Sequence, residues 1–486
     1  MSLPDSTAPP SRRRQSVRSV EDGPALPAAA KFSEIHLADV FVSRAGDRWR
    51  YVHEWRTWYR WHEDADTRGW HEDRTGLLRH DVACLLRESM GWAEAHEINE
   101  ALRRKVCSNG SASGVIALAG CHPDVAVSAV AWDADPMLLG VPGAIVDLRT
   151  GQSEPATPDV LVSRRCAVRP ELGTPALWLS HLRRVMRGDE EMIGFLQRMF
   201  GYMLTGQVGE HALLFFFGTG RNGKGTIVET LVRLMGDYGY AAPVNLLMEA
   251  KNERHPTELM ELRGRRLVSC SEPAQGARWD DGRIRSLTGG DTVTARKMGQ
   301  DLSSFEPTHK LLIMGNHKPV LRSVDEAIKA RFNVVDFSLT IPAEERDPHF
   351  LDKLREEWPQ ILQWMITGCL LWQEDGLCKP ASMVMATNEY LEDEDSFGQF
   401  LAECCERRPD AFDPVSVLFS AYGAWCERVG ERPMSRKSFR SVLHETPGIE
   451  RKRGTVPECV AGVCVKENAR VQRGFSAGAG GWLGED

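Results

Sequence analysis

The sequence predicts an α/β protein with a motor-type core over residues 211–345. Three observations predict it. The apolar run LLFFF leads into the glycine-rich string GTGRNGK, which opens the helix-patterned stretch TIVETLVRLM. Further apolar runs, in GRRLVSC, HKLLIM and FNVVDF, alternate with helix-patterned segments. The flanks differ in character: an α+β region precedes the core, and the chain ends in short helices, a basic turn and a β-prone run, an order that suits a winged helix.

Bulk properties narrow the class. A chain of 486 residues has room for about two to four domains. Hydrophobic residues at 42% and charged residues at 26% are ordinary for a soluble globular protein. No apolar run is long enough to span a bilayer, and the first residues lack the apolar centre of a signal peptide, so a cytoplasmic protein without a membrane partner is expected. A net charge of −8 means that nucleic acid, if bound, is met by local basic surfaces. Twelve cysteines without C-x-x-C pairs read as free thiols, and Cys459 and Cys464 have no matching pair that would make a zinc site.

In chain order, residues 1–32 are rich in Ser, Pro, Ala and Arg and read as a disordered, solvated arm. Residues 33–165 form an N-terminal α+β domain. Its segment DRWRYVHEWRTWYRWHEDADTRGWHED interleaves aromatics with charge, a composition that can stack on single-stranded bases but more readily builds a strand layer with Trp in its core. Within it, HDVACLLRESMGWAEAHEINEALRRKV has helical periodicity, and WDADPMLLGVPGAIVDLRTGQ reads as two short strands about a Pro-Gly turn. Residues 166–210 predict a collar of two packed helices, split by RGDEE. The core follows at 211–345, then a helical extension at 346–390 in which Pro359 starts or kinks a helix. Residues 391–470 carry the winged-helix pattern, and the Gly/Ala-rich 471–486 read as a flexible tail.

The glycine-rich string has the chemistry of a phosphate cradle. Glycines let backbone N–H groups face an anion without Cβ clashes, and the following helix adds the positive end of its dipole. Gly218, Thr219, Gly220, Arg221, Asn222, Gly223, Lys224, Gly225, Thr226 and Ile227 are the candidate nucleotide-binding residues, with Lys224 as the point charge on the phosphates. The usual loop has a hydroxyl straight after the lysine to ligate Mg²⁺. Here that position is Gly225, and the hydroxyl comes one residue late, at Thr226. Thr226 and Glu272 are the candidate metal residues: Thr226, one position late, is expected to support phosphate binding, with Mg²⁺ leaning on Glu272, water and the phosphates.

Later strands supply the remaining parts. GRRLVSCSEPA ends in Glu272, an acid that can hold Mg²⁺ or orient water. HKLLIMGNHKP ends in Asn316, an amide that can align water against a γ-phosphate. DEAIKARFNVVDF offers Arg331 just ahead of a strand, where it can reach a neighbouring subunit's nucleotide as a finger. Any one of these is common on a surface; four in order at strand edges are not.

GTGRNGKGT, RRLVSCSEP, LTGGDTVTARK and MGNHKP, in this order, resemble superfamily 3 helicases, and most of all the phage and plasmid primase-helicase family, related to the poxvirus primase-helicase. The likeness spans roughly residues 125–465. It implies an AAA+ motor assembled as a hexameric ring, with ATP and Mg²⁺ between subunits and 3′ to 5′ movement on single-stranded or forked DNA in a bacterial host cytoplasm. It also implies that Lys224 contacts phosphate, Glu272 is the Walker B acid, Asn316 the sensor and Arg331 the finger. TARKMGQDLSSFEPTHK matches the family's channel hairpin, with Arg296, Lys297 and Lys310 as candidate DNA contacts.

The sequence departs from the family in two places. Relatives often carry two adjacent arginines where this chain has Ala330-Arg331, with Lys329 nearby. No cysteine set or acidic cluster in the first region suits a primase, so a separate primase is expected. In the C-terminal region, Arg436, Lys437 and Arg440 lie on the expected recognition helix and Arg451, Lys452 and Arg453 in the expected wing, with replication-origin DNA a natural target. The leading reading is an ATP-driven replicative DNA helicase of a phage, prophage or plasmid. The alternative is an origin-binding ATPase that assembles on and melts DNA without processive unwinding. A small-molecule kinase leaves the hairpin segment without a purpose.

Overall fold

A computed structural model describes residues 28–95, 99–249, 257–271, 278–296, 303–319, 321, 325–394, 396–430, 433–452 and 458–470. The expected N-terminal arm, up to residue 27, and the C-terminal tail lie outside these. The chain divides into two compact units, residues 1–134 with 156–163, and residues 135–155 with 164–486. The short strands near residues 138–155 thus group with the second unit rather than with residues 33–134.

The first unit packs α1 (Glu34–Ala45) against a three-stranded antiparallel sheet, β1 (Trp49–Val52), β2 (Thr57–His62) and β3 (Gly69–Glu72), and three helices, α2 (Leu77–Ala95), α3 (Glu100–Val106) and α4 (Asn109–Gly120). Ser33, Asn99 and Ser108 cap α1, α3 and α4 by accepting first-turn N–H bonds. The aromatic-rich segment forms core. Trp61 and Trp70 face each other across β2 and β3 with ring centroids 5.4 Å apart and are almost fully buried, and Tyr59 packs on Trp132 at 4.3 Å.

The second unit opens with an antiparallel sheet of three strands, one more than the pattern suggested: β4 (Leu138–Val141), β5 (Ala144–Asp147) and β6 (Gln152–Pro155). Helices α5 (Ala176–Val185) and α6 (Glu190–Leu204) follow. The central element is a five-stranded sheet, parallel throughout, in the order β13-β7-β12-β9-β8. Its chain order is β7 (Leu213–Phe217), α7 (Lys224–Leu234), β8 (Gly239–Ala242), α8 (Thr257–Met260), β9 (Leu267–Ser271), α9 (Asp281–Thr288), β10 (Val293–Ala295), β11 (Ser303–Phe305), β12 (Lys310–Gly315), α10 (Glu326–Arg331) and β13 (Phe332–Asp336). β10 and β11 stand apart as an antiparallel hairpin.

Both faces of the parallel sheet are covered, which explains the unbroken apolar runs. Leu214 and Phe216 join the cluster formed with α6 and α7, while Leu213 and Phe215 join the opposite cluster with Trp279 and Tyr390. Helices α11 (Phe350–Glu356), α12 (Trp358–Asp375) and α13 (Ala381–Glu394) follow, with Pro359 in the first turn of α12, where its missing N–H costs nothing. Arg266, 4% exposed, bonds to the carbonyls of Leu138 and Leu204 and lies over the Tyr238 ring, so the small sheet and α6 are tied to the approach to β9.

The last part runs α14 (Ser396–Cys404), β14 (Cys405–Glu406), β15 (Phe412–Pro414), α15 (Val415–Val429), α16 (Arg436–Glu445), β16 (Glu450–Lys452), β17 (Cys459–Ala461) and β18 (Cys464–Val465). β15, β17 and β16 form an antiparallel sheet in that order, and Phe397, Phe400, Tyr422, Trp425 and Phe439 fill the core beneath it. Among the described residues no helix is long and apolar enough to cross a membrane.

Two features of the core generate expectations. α6 and α12 cross at Gly201 and Gly368. A Cβ on Gly201 would lie 2.1 Å from the Cys369 nitrogen, and one on Gly368 would lie 2.0 Å from the Gln197 carbonyl oxygen. Either change to Ala forces the helices apart, and a loss of about 1–3 kcal/mol or more is expected in chemical denaturation. His309 is 1% exposed, neither ring nitrogen has a hydrogen-bond partner among the described residues, and burial pushes its pKa down to about 3. The unfolded chain takes up this proton below its ordinary value of 6.5 and the folded chain does not until about 3, so stability falls as pH drops through that window. His309→Leu should make the decline shallower, by about 1.4 kcal/mol per pH unit at most, in denaturation at a series of pH values.

Candidate functional site

β7 is locked between two parallel neighbours, with Phe217 opposite both Gly315 of β12 and Asp336 of β13. The loop that leaves β7 therefore emerges at the carboxyl edge of the sheet, where the strand order reverses and open α/β sheets bind ligands. Gly218 crosses the end of β13 so closely that a Cβ would sit 2.5 Å from the Phe337 carbonyl oxygen. That carbonyl accepts from the Asn222 amide at 3.0 Å, so the buried Asn222 side chain braces the loop and leaves ligand contact to its backbone. Thr219 is exposed, and the Arg221 carbonyl accepts from the Ile341 N–H at 2.9 Å.

Gly223 begins α7 with φ +87, in the left-handed region, and no side chain caps that helix start. A Cβ on Gly223 would lie 2.7 Å from Val185 and 2.8 Å from His181, so α5 presses directly on the last turn of the loop. Its N-cap, Gly223, has no side chain to accept a first-turn N–H of α7, whereas Asp189 accepts one at the start of α6. Lys224 is 5% exposed. Its ammonium donates to the Gly218 carbonyl at 2.6 Å and to Asn316 Oδ1 at 3.2 Å, which brings the loop lysine and the amide after β12 together across the sheet edge.

Gly225 and Thr226 point different ways, as successive helical residues do. Gly225 is exposed, and a Cβ there would meet nothing within 4 Å. Thr226 instead lines a cavity of about 340 Å³ with Ser180, His181, Ile341 and Phe350. The His181 ring lies 5.1 Å from that of Phe350, and burial lowers its pKa, so it is neutral in this wall. Arg184 and Glu345 form an ion pair at the rim. Sequence reasoning missed this cavity. Its walls come from segments far apart in the chain, and the helical periodicity around His181 signals packing only.

The other expected site residues separate into groups. Asn316 follows the last residue of β12. β9 ends at the same edge, with Ser271 opposite Met314, but Glu272 lies outside the described residues. For Mg²⁺, Gly225 brings no ligand, and no group of three His, Cys, Asp or Glu side chains among the described residues could hold a metal alone. Arg331 sits at the amino end of β13, beside Phe332 opposite Leu213, about 13 Å of strand away from the loop edge. It donates to Thr288 Oγ1 at 3.0 Å and to the Ala327 carbonyl at 2.6 Å. It is out of reach of its own loop.

Two expectations are corrected. Ile227 is fully buried and its N–H bonds back to the Gly223 carbonyl, so its helical phase turns it into the core rather than to a nucleotide. Lys310 is 2% exposed. Its ammonium is held by the Thr205, Gln207 and Thr308 carbonyls over the Tyr202 ring, and burial pushes its pKa well down. It is a structural residue and cannot meet DNA phosphates. Arg296, by contrast, is exposed directly after β10, while Lys297 lies outside the described residues.

In the C-terminal part, Arg436 and Lys437 are exposed in the first turn of α16, capped by Ser435. Arg440 and Arg451 both reach Glu458 at 3.1 Å, Lys452 lies over the Phe412 ring at 3.9 Å, and Arg453 is outside the described residues.

Comparison with known proteins adds independent findings. The D5 N terminal like family matches residues 38–201, and a family of unknown function, DUF5906, matches residues 216–331. A candidate helicase of Acanthamoeba polyphaga mimivirus is 24% identical over 345 residues, covering 65% of this chain and 36% of the relative. A candidate helicase of Frog virus 3 (isolate Goorha) is 24% identical over 315 residues, covering 60% of this chain and 30% of the relative. The chain thus spans about a third of the length of these relatives. The apo structure of the NrS-1 C-terminal region is similar with a TM-score of 0.44 at 10% identity, covering 76% of this chain and 78% of that one.

The geometry makes opposite demands on neighbouring positions. With the loop read as a nucleotide cradle, as the sequence expects, Thr226→Ala should weaken binding of an ATP analogue by about tenfold or more, the worth of a hydrogen bond to a charged group, whereas Gly225→Ser should stay within about twofold. Titration calorimetry of both variants checks this.

Proposed function

We propose, from the premise that this chain belongs to the phage and viral primase-helicase family, that it is an ATP-driven replicative DNA helicase of the superfamily 3 type. The observation that carries the reading is the division of labour across the parallel sheet. Lys224 and Asn316 meet at the carboxyl edge, while Arg331 stands at the opposite end of β13. One subunit thus has a phosphate cradle and a cation out of reach of it, an arrangement that a ring of identical subunits, six in this reading, would complete.

In this reading the loop N–H groups and the α7 dipole take the β- and γ-phosphates, and Lys224 exchanges its hold on Gly218 for phosphate oxygens. Asn316, already within hydrogen-bond distance of Lys224, orients the attacking water. Thr226 faces the α-phosphate side, and the cavity beside it receives the nucleoside. Mg²⁺ would supply charge neutralisation, held by the phosphates, water and Glu272. Arg331 from a neighbour stabilises the transferring phosphoryl group. The β10–β11 hairpin, with Arg296 beyond its first strand, is the element assigned to the DNA strand, with 3′ to 5′ movement.

The core carries the features of an AAA+ motor in this reading. The order of α14, β15, α15, α16, β16 and β17, with its three-stranded sheet, supports a winged helix, α16 being the recognition helix and β16–β17 the wing. The same basic helix favours a second reading, an origin-binding ATPase that melts DNA without unwinding it.

A strand-displacement assay on forked DNA with a 3′ tail tests the proposal. ATP-dependent displacement is expected, absent in Lys224→Ala. Arg296→Ala should lower displacement about fivefold or more while DNA-free ATP turnover stays within about twofold, since only the strand contact is removed. Turnover without any displacement would favour the origin-melting reading.

A further inference from the structure

The C-terminal basic face contains one acid whose position is not explained by the core. Glu458 lines a cavity of about 350 Å³ with Val415, Ser416, Arg436, Lys437 and Arg440, so one carboxylate sits among three cations. Its Oε1 lies 3.1 Å from Arg440 Nη2, 3.1 Å from Arg451 Nε and 3.4 Å from His444 Nε2. One oxygen thus gathers bases from both α16 and β16. The carboxylate is placed by the backbone, because the Glu458 carbonyl accepts from the Val415 N–H at 3.0 Å at the start of α15. Arg440 and Arg451 remain half or more exposed, so the rest of each guanidinium faces solvent.

We propose that Glu458 is a built-in electrostatic brake on the duplex-DNA face formed by α16 and β16, a specificity residue that occupies the place a backbone phosphate would otherwise take. This rests on the reading of α16 and β16 as a DNA-binding surface. Set 3.1 Å from both Arg440 and Arg451, the carboxylate removes one unit of charge from the face and attracts two of its guanidiniums by charge. Attraction to any phosphate backbone, which depends on charge alone, is weakened. Contacts that need the guanidiniums in fixed positions keep their geometry. Discrimination against random sequence rises as non-specific affinity falls, the logic of building a repulsive element against wrong partners.

The test uses the full chain and random-sequence duplex DNA, titrated at a series of salt concentrations. Glu458→Gln keeps the shape and removes the charge. It should bind about three- to tenfold more tightly near 0.15 M salt, with the log–log salt slope steeper by about one, as for one more neutralised phosphate. Glu458→Asp retains the charge and should keep the wild-type slope, and thermal melting of both confirms that they fold. Arg436→Ala with Lys437→Ala should weaken binding and flatten the slope. If that double variant weakens binding and Glu458→Gln leaves affinity and slope unchanged or lower, the brake is overturned while the DNA-binding reading stands. If the double variant binds as wild type does, the surface itself is wrong and the brake falls with it.

Discussion

The register of β7 between β12 and β13 is the constraint on which the site depends. Because Phe217 lies opposite both Gly315 and Asp336, three strands end at one level and their following residues converge. Gly218 can then lie on the Phe337 carbonyl, Asn222 can bond to it, and Lys224 can reach Asn316. A slip of one residue would reverse the faces of Leu214 and Phe216, which belong to one apolar cluster, and of Leu213 and Phe215, which belong to the other. The same burial that makes the sheet stable therefore fixes the position of the loop. Helix α5 completes the arrangement from the far side, leaving no room for a side chain on Gly223.

Much of this was legible because it is local. A phosphate loop needs a strand, glycines and a helix within a short stretch, and LLFFF, GTGRNGK and TIVETLVRLM supply them. Strand ends are equally local, so Asn316 could be placed at an edge before its partner was known. What escaped depends on distant parts. The resemblance makes Lys310, at the start of the HKLLIM strand, a candidate DNA contact, but the carbonyls of Thr205 and Gln207 come from the turn after α6 and draw it inside. Ile227 is adjacent to the loop in sequence, but its helical phase sends it to the core. The cavity beside Thr226 combines α5 with residues after β13, a meeting that no periodicity records.

The fate of the basic residues follows burial: a cation enclosed among carbonyls is spent inside the fold, whereas an exposed one can still meet a partner. Arg266 and Lys310 sit among carbonyls that must be satisfied, and they act as internal ties. Arg436 and Lys437, in the first turn of α16, and Arg296, directly after β10, are exposed and open to an anion. Arg331 is intermediate. Its bonds to Thr288 and Ala327 hold it at the end of the sheet opposite its own loop, and the proposed function assigns it to a neighbour's nucleotide.

That last assignment is the central claim, and mixing subunits tests it most directly. Lys224→Ala removes the cradle's cation and Arg331→Ala removes the finger, so each protein alone should hydrolyse ATP at background rates. Mixed in equal amounts and allowed to exchange, they should regain about a quarter of wild-type turnover, because a random ring pairs an intact loop with an intact finger at one interface in about four. Continued inactivity of the mixture, with both proteins folded and co-assembled, would contradict a site shared between subunits.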